Sequence, residues 1–430
     1  MYPLTLDLID FLVSSPARQT LADLSEVDLD ERQTLPLLTR LRVSFAPDEA
    51  AALLDQARLR RRAIDKFPNA DRLLFTDEAL QQASSRAVAL YRAGQFAAAL
   101  SDQRPALVAD LGCGIGADTI ALAEAGLHVV AVERDPVRAR IAVFNVAALG
   151  MTDRVEVVEG DWTSLPLTPA LPLWEREPEP DSLSPWETAK RGVKVRAAFI
   201  DPSRRANDRR IFDPEAMDPP LSQILPLVDH LDAVAVKTLP GIADADIPPT
   251  AEVEFISERG QMKEALLRFG RLKTGAARRA TLLPGPHHLD SNAPVNDLPA
   301  TEPLAWLLEP DAAVIRATLV QHLATALDAR QIDPSIAYLT SDHSVESPFA
   351  RCWRVLRHGP FNLKTLNRWL REMGAGEVVV KKRGSPIDPD EFRRRLKTTP
   401  GGQPVTVFLT RSLDRPWMIL GSTNSPSVDA

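Results

Sequence analysis

The 430-residue chain predicts a doubly wound α/β domain, preceded by a helical region and followed by an α+β region. Three observations predict it. From residue 105 onward short apolar runs alternate with helical patterns, as βαβ units require. The first of those runs ends in a glycine-rich turn that opens a helix. The residues before it show helical spacing and no strand signal, whereas the last eighty alternate strand and helix with a strong basic excess.

The segments 48–67 and 76–96 carry apolar residues at helical spacing. Thr76 is placed to cap the second, whose inner face would be Ala79, Leu80, Ala83, Ala87 and Leu90. Arg58, Arg60, Arg61, Arg62 and Lys66 form a basic run that is either a solvated helix surface or a face for a polyanion. ALVADLG, HVVAVER (128–134), VEVVEGD (155–161), VRAAFIDP (195–202), LDAVAVKT (231–238) and AEVEFIS (251–257) then read as successive strands, followed by ALLRFG and RRATLLP. Residues 163–194 interrupt this rhythm with six prolines and with Trp174 and Trp186. A connection of that length is a lid, a binding loop or a disordered segment. A proline-rich stretch at 284–310 marks a boundary. Beyond it, 309–330 reads as one long helix and 335–342 as a strand. Thereafter strands at 349–357, 377–384, 404–411 and 416–421 alternate with helices at 362–374 and 388–399. Four segments result: 1–100, 101–285, 290–345 and 346–425.

Composition excludes several classes. Apolar residues are 44% and charged residues 25%, the balance of a folded globular chain. No run approaches the ~18 consecutive apolar residues of a membrane span. The N-terminus lacks a basic leader and carries Asp7 and Asp10 through its apolar part, unlike a signal peptide. Two cysteines, Cys113 and Cys352, are too few for a disulfide framework or a cysteine-rich metal site, and a reducing, cytoplasmic setting is expected. The seven histidines show no metal-ligand spacing, so no metal is expected. The net charge of −7 conceals an uneven distribution. Residues 345–415 hold 15 Lys/Arg against 7 Asp/Glu, a basic module on an otherwise acidic chain.

The turn Asp110-Leu111-Gly112-Cys113-Gly114-Ile115-Gly116-Ala117 lets the backbone turn tightly and approach a ligand, with the N–H groups of the following helix aimed at it. Read as G-x-G-x-x-A, it also satisfies a dinucleotide fingerprint. Glu133, 21 residues after Gly112, suits the ribose hydroxyls that NAD and S-adenosylmethionine share. Asp161 at the end of the third strand can meet an adenine amine, with Trp162 flanking the ring. Asp110 separates the two readings. A carboxylate is repelled by a pyrophosphate and attracted by the cationic amino-acid part of S-adenosylmethionine. Three acids at three successive strand ends around a GxGxG turn resemble the class I S-adenosylmethionine-dependent methyltransferases over about 105–285.

That resemblance implies a Rossmann-like catalytic domain whose fourth strand end faces the methyl group. Asp201-Pro202-Ser203-Arg204-Arg205 stands there. In the family, D/N/S-P-P-aromatic at this place marks amino-methyltransferases, whose carboxylate or amide aligns the target NH₂. Here Asp201-Pro202 is kept and Pro-aromatic is replaced by Ser203-Arg204. Arg204 and Arg205 can hold a phosphate or carboxylate, or Arg205 can pair with Asp213. Lys237, in VKTLPG, either binds an acidic group or snorkels past apolar neighbours. Methylation through a cysteine nucleophile is not expected, because Cys113 lies inside the turn and Cys352 in the C-terminal module.

FTDEALQQASS, DLGCGIGAD, FIDPSRR, VKTLPG, EPDAAVIRA and VKKRG…FRRRLK together resemble the bacterial class I methyltransferases with a C-terminal THUMP-like domain. The catalytic segment is also similar to trimethylguanosine synthase-type enzymes. The resemblance implies a ferredoxin-like unit at about 290–345 and a THUMP-like module at about 346–425. True THUMP domains occur in tRNA-modifying enzymes, so it also implies RNA as a partner. Lys381, Lys382 and Arg383 at a strand end, and Arg393, Arg394, Arg395 and Lys397 on a helix, are the candidate phosphate contacts, with Arg351, Arg354 and Arg357 nearby. Trp353 and Trp369 read as core. Three functions remain open: an RNA methyltransferase, a methyltransferase for a protein or a small acidic metabolite, and a binding protein that retains the cofactor fold without catalysis.

Overall fold

Small polar residues set the helix starts at the N-terminus of the computed structural model, which describes residues 3–103, 106–164, 195–202, 205–206, 209–210 and 213–422, with backbone alone at 164, 205–206 and 209–210. Thr5 caps α1 (Leu6–Leu12) and Ser14 caps α2 (Ser15–Ser25), each accepting from a backbone N–H of the first turn. α3 (Thr34–Leu41) and α4 (Pro47–Ala63) follow, the latter with proline in its first turn. Thr76 caps α5 (Asp77–Gln82) as expected, accepting from Ala79 N–H at 3.2 Å.

The helix expected over 76–96 is in fact two. α5 stops at Gln82, Ala83 turns to an extended ψ of 138°, and α6 (Arg86–Ala99) starts after Ser85. Serine competes with the backbone for hydrogen bonds and favours helix ends over interiors. Lys66 Nζ secures the break by reaching the carbonyls of Leu80 at 2.7 Å and Ala83 at 2.9 Å. The interruption resets the phase of the buried face. Val88, Ala89, Ala93 and Phe96 point inward on α6, while Leu90 is exposed.

In the basic run on α4, Arg61 and Arg62 are exposed, as a solvated helix surface would leave them, while Arg58 and Arg60 are half-buried, and each guanidinium has a partner within the fold. Arg58 donates to Leu29 O and Thr34 Oγ1, Arg60 to Leu73 O, and Arg61 to Ser25 O and Val27 O, while Arg62 pairs with Asp77 at 2.6 Å. These guanidinium groups close carbonyls that the surrounding turns leave unpaired. Burial pushes Arg60 down to about 10.

β1 (Leu107–Leu111), β2 (His128–Glu133), β3 (Val155–Glu159), β4 (Val195–Ile200) and β7 (Ala233–Thr238) supply the expected parallel strands. Between β4 and β7 lie the short ladder β5 (Arg205–Ala206) with β6 (Arg209–Arg210), and α9 (Leu221–Ile224). α7 (Ala117–Glu124) and α8 (Pro136–Ala148) complete the early βαβ units. The chain forms two units, 1–252 with 265–274, and 253–264 with 275–430. β8 (Glu252–Glu258) and β9 (Gln261–Gly270) run from one to the other. In the first unit the strand order is β9-β7-β4-β1-β2-β3, with β9 antiparallel to β7. Near-continuous burial of β1, β2 and β7 matches a parallel sheet covered on both faces.

Helices α1–α5 share one apolar core with Ile115 and Ile141, so the helical region belongs to the first unit. One buried amide ties it there, and a second holds the segment from within the helical region. Asn145 of α8 accepts from Leu74 N–H at 2.8 Å and donates to Leu74 O and Ile115 O, each at 3.1 Å. Gln56 pairs in the same way with both backbone groups of Phe75. An extended segment between helices thus has its polar groups satisfied by side chains.

In the second unit β10 (Arg278–Leu283) runs parallel to β8 and antiparallel to β11 (His287–Asp290). A separate sheet has the order β13-β14-β12-β15-β18-β17-β16. Its strands are β12 (Trp306–Pro310), β13 (Arg330–Asp333), β14 (Ile336–Ser341), β15 (Ala350–Pro360), β16 (Ala375–Lys382), β17 (Gln403–Ser412) and β18 (Arg415–Ser422). The long helix expected at 309–330 is corrected. Glu309 and Pro310 end β12, and Asp311 caps α10 (Ala312–Arg316). Thr318 then turns at φ 58° before α11 (Val320–Ala326). α12 (Leu363–Glu372), capped by Asn362, covers one face of this sheet. The last helix, α13 (Pro389–Arg393), is shorter than its expected span. No helix among the described residues is long and apolar enough to cross a membrane.

Candidate active site

Parallel strands place their carboxyl ends along one sheet edge, and most of the expected site residues meet there. β1 lies between β2 and β4, in register Leu111↔Val132 and Leu111↔Ile200. One step further along, Gly112 stands beside Glu133 on one side and Asp201 on the other. β4 in turn neighbours β7, with Ile200 opposite Val236. Asp201 and Lys237 therefore face each other across adjacent strand ends.

Gly112, Gly114 and Gly116 take φ of 84°, 58° and 91°, a region that L side chains avoid. Gly112 has a second constraint, because a Cβ there would sit 2.9 Å from the Asp201 carbonyl oxygen. The glycine turn thus also makes room for the backbone of Asp201. A Cβ on Gly114 would meet nothing within 4 Å, so the turn opens onto free space. Glu133, at 7% exposure, is held by Gly114 N–H at 2.8 Å and Asp135 N–H at 2.9 Å, one on each carboxylate oxygen.

Asp110 is 1% exposed. One of its oxygens accepts from Thr119 Oγ1, and the other is buried without a hydrogen-bond partner. Burial, with the nearby charges of Asp118 and Asp201, pushes its carboxyl up to about 8, while Thr119 and Arg92 oppose the shift. An orphaned buried carboxylate oxygen beside an open glycine cradle, with a pinned acid at the neighbouring strand end, fits S-adenosylmethionine. Asp161 is exposed and caps its own turn, accepting from Thr163 N–H at 2.9 Å and Thr163 Oγ1 at 2.7 Å, which holds its carboxyl below the usual range. Trp162 beside it is buried.

Lys237 does not snorkel. At 4% exposure its Nζ pairs with Asp201 Oδ2 at 2.8 Å and donates to Ser84 Oγ at 3.2 Å. Ser84 donates to Asp118 Oδ2 at 2.9 Å, and Asp118 is bridged to Arg92. Arg92, buried on α6, lies with its guanidinium 4.1 Å from the centre of the Phe199 ring on β4. Ser84, Arg92 and Asp118 escaped sequence reasoning. Helical periodicity alone puts Ser84 inside a continuous helix. The Ser84-Ser85 pair, favouring a helix end, was the signal that would have exposed it.

Pro202 is buried behind Asp201. Ser203, Arg204, Trp174 and Trp186 lie outside the described residues, as does the side chain of Arg205. Cys113 is buried in the turn, and burial raises its thiol well above the ordinary value, which disfavours a thiolate. Among the described residues no cluster of His, Cys, Asp and Glu could hold a metal ion.

The candidate phosphate contacts of the second unit separate into two groups. Lys381 bridges to Glu309 and lies 4.6 Å over the Trp353 ring. Arg383 stands 4.0 Å from the same carboxylate and 5.2 Å over Tyr338. Both are engaged within their own sheet and only partly exposed. Lys382, Arg393, Arg394, Arg395 and Lys397 are exposed, and among the described residues no acid lies within salt-bridge distance of them. Trp353 is core as expected, and Trp369 packs partly buried on the sheet.

Residues 108–171 match the methyltransferase domain family, 350–423 the THUMP domain-like family, and 5–63 a domain of unknown function. An uncharacterized S-adenosylmethionine-dependent methyltransferase of Mycobacterium tuberculosis is 34% identical over 374 residues. The match covers 85% of this chain and 93% of the relative, and it is found equally in strains CDC 1551 and H37Rv. A crystal structure described as a methyltransferase from Porphyromonas gingivalis W83 superposes with a TM-score of 0.70 at 20% identity. It covers 96% of this chain and 99% of that one, which extends the likeness of fold across both units. With a relative of this identity over most of its length, and with the glycine turn and its acids arranged as described, the chain belongs to the S-adenosylmethionine-dependent methyltransferases.

Proposed function

We propose that this methyltransferase acts on RNA in the cytoplasm, with the acceptor presented by Asp201-Pro202-Ser203-Arg204-Arg205 and the RNA held by the basic second unit. The observation that carries the RNA reading is the group of exposed cations at Arg393, Arg394, Arg395 and Lys397, within residues that match the THUMP domain-like family. Cations that are not tied up in salt bridges bind phosphates by releasing counterions, with little sequence preference. The reading that makes Lys237 part of an anion pocket for a small acidic metabolite loses support, because Asp201 already compensates its charge.

Gly112, Gly114, Gly116, Glu133, Asp161 and Trp162 would hold S-adenosylmethionine, and Asp110 would orient its cationic end. The bound cofactor supplies an electrophilic methyl group on a good leaving group. The work left to the chain is positioning. Asp201, paired with Lys237 at 2.8 Å, would accept a hydrogen bond from the acceptor and aim its lone pair at the methyl carbon. No strong base is needed, since the acceptor's proton can leave late.

Radiolabelled S-adenosylmethionine tests this, with wild type and Asp201→Ala incubated separately with size-fractionated total RNA and with an extract of proteins and metabolites. Wild type should label an RNA band. Asp201→Ala should lose about a hundredfold or more of that rate, with affinity for S-adenosylhomocysteine nearly unchanged. Label in the extract alone would overturn the RNA reading. Parallel loss of affinity for S-adenosylhomocysteine would show that Asp201 belongs to the cofactor site instead.

A further inference from the structure

We propose that Ser84 and Arg92, from the helical region that precedes the glycine turn, are positioning residues for methyl transfer and act on Asp201 through Lys237. The inference rests on the proposed acceptor role of Asp201 and does not depend on RNA being the substrate.

These contacts run in sequence from Arg92 to Asp201. Arg92 bridges to Asp118, Asp118 accepts from Ser84 Oγ at 2.9 Å, Ser84 accepts from Lys237 Nζ at 3.2 Å, and Lys237 pairs with Asp201 at 2.8 Å. Ser84 has one hydroxyl proton. Asp118, bridged to Arg92, accepts it, which leaves the hydroxyl lone pairs for the ammonium of Lys237. The order of donors therefore has one sense, from the Lys237 ammonium toward the Asp118 carboxylate.

Burial gives the chain its purpose. Ser84 is buried, and the side chains of Arg92, Asp118 and Lys237 are 2%, 11% and 5% exposed, whereas that of Asp201 is 23% exposed. Only the last member opens toward solvent, at the strand end where the acceptor would bind. A lysine has four rotatable carbons, and one ion pair alone leaves its tip free to swing. Ser84 supplies the second contact that removes that freedom. Arg92 holds Asp118 in place and also covers the Phe199 ring two residues before Asp201, so it braces the strand that delivers the acid. The break between α5 and α6, unexplained by the helix periodicity, is what brings Ser84 to this point.

The test uses the full chain and three variants: Ser84→Ala, Ser84→Thr and Arg92→Lys. Turnover of radiolabelled S-adenosylmethionine is measured on whichever fraction, RNA or protein-plus-metabolite, the wild type labels. Failure of the RNA reading is thereby kept apart from failure of this one. Ser84→Ala should lower kcat about tenfold, with KM, S-adenosylhomocysteine affinity and melting temperature close to wild type. Ser84→Thr, which retains the hydroxyl, should recover most of kcat. Arg92→Lys, which keeps the charge and loses the planar contact on Phe199, should fall between them. Wild-type kcat in Ser84→Ala overturns the proposal, as does a loss of kcat that Ser84→Thr fails to rescue. A crystal structure of Ser84→Ala decides independently of turnover. Displacement of the Lys237 Nζ from Asp201 supports the relay, and an unmoved pair overturns it.

Discussion

The first unit carries Arg92, Asp118, Ser84 and Lys237 as a chain of buried groups that ends on the partly exposed Asp201, whereas the second keeps Arg393, Arg394, Arg395 and Lys397 exposed and, among the described residues, outside any salt bridge. The same residue types serve different physics in the two places. Inside, desolvation makes an unpaired charge expensive, so geometry is enforced and salt has little access. Outside, water and ions screen each charge, so no geometry is enforced and the charges remain available to a polyanion. The second unit also contains the first kind of arrangement, in Lys381 and Arg383 around Glu309, about ten residues before the exposed group. Sequence proximity and basic character do not distinguish these cases; the presence of a buried or half-buried acid does.

The strongest way to break the comparison is Lys237→Met. It leaves Asp201 without its cation and Ser84 without its donor, and removal of one partner from a buried pair costs about 3 kcal/mol or more. Asp201 is partly open to water, which places the expected loss at the lower end, about 2–3 kcal/mol by urea denaturation, accompanied by loss of turnover. A variant as stable and active as wild type would show that the pair is ornamental.

Next in size is the combined replacement of Arg393, Arg394, Arg395 and Lys397 by Ala. If these four cations meet RNA phosphates as proposed, their removal should reduce the slope of log affinity against log salt by about 3, and weaken total-RNA binding tenfold or more at moderate salt. Folding stability should change little, since these side chains close no internal pair. An unchanged salt slope would move the RNA surface elsewhere.

The effect of pH sharpens the buried side of the comparison. Asp110 keeps its proton at neutral pH because burial, Asp118 and Asp201 raise it to about 8. With the folded carboxyl raised above its unfolded value, its contribution to stability is present below about pH 4 and lost as pH rises toward 8. A cationic ligand favours the ionised form. Affinity for S-adenosylmethionine should therefore rise with pH, by up to about tenfold per unit between pH 6 and 8, and level off above. Calorimetry in two buffers of different ionisation enthalpy would detect the released proton, and a flat profile would remove Asp110 from the cofactor site.

The smallest expected effect is that of Lys381→Ala. Its half-buried pair with Glu309 and its contact over Trp353 are worth about 1 kcal/mol of stability. The salt slope of RNA binding should be nearly untouched. A fall in that slope comparable with the loss from the exposed group would return Lys381 to the phosphate contacts.

Much of the site was legible because its signals are local. Gly112, Gly114 and Gly116 need positive φ, and acids at strand ends follow directly from parallel strand order. Asp110, Glu133, Asp201 and Lys237 could therefore be assigned to one sheet edge from spacing alone. The basic run on α4 was not legible. Whether a guanidinium meets water or a carbonyl depends on turns 13 to 36 residues away. The same limit applies to the two helices read as one. Helical periodicity continued through Ala83-Ser84-Ser85, and the competing side-chain bonds that end α5 come from Lys66 on another element.

The sequence by itself determined the strand-and-helix alternation, the glycine turn and its acids, and the uneven charge of the C-terminal region, because each depends on neighbours within a few residues. Tertiary structure alone decided which charges find internal partners. It paired Lys237 with Asp201, joined Ser84 and Arg92 to that pair, drew Lys381 and Arg383 onto Glu309, and left the cations at 393–397 exposed. The physical reason is desolvation. A charge acquires its value from the burial and the partner it finds on folding, and both are set by residues tens of positions away.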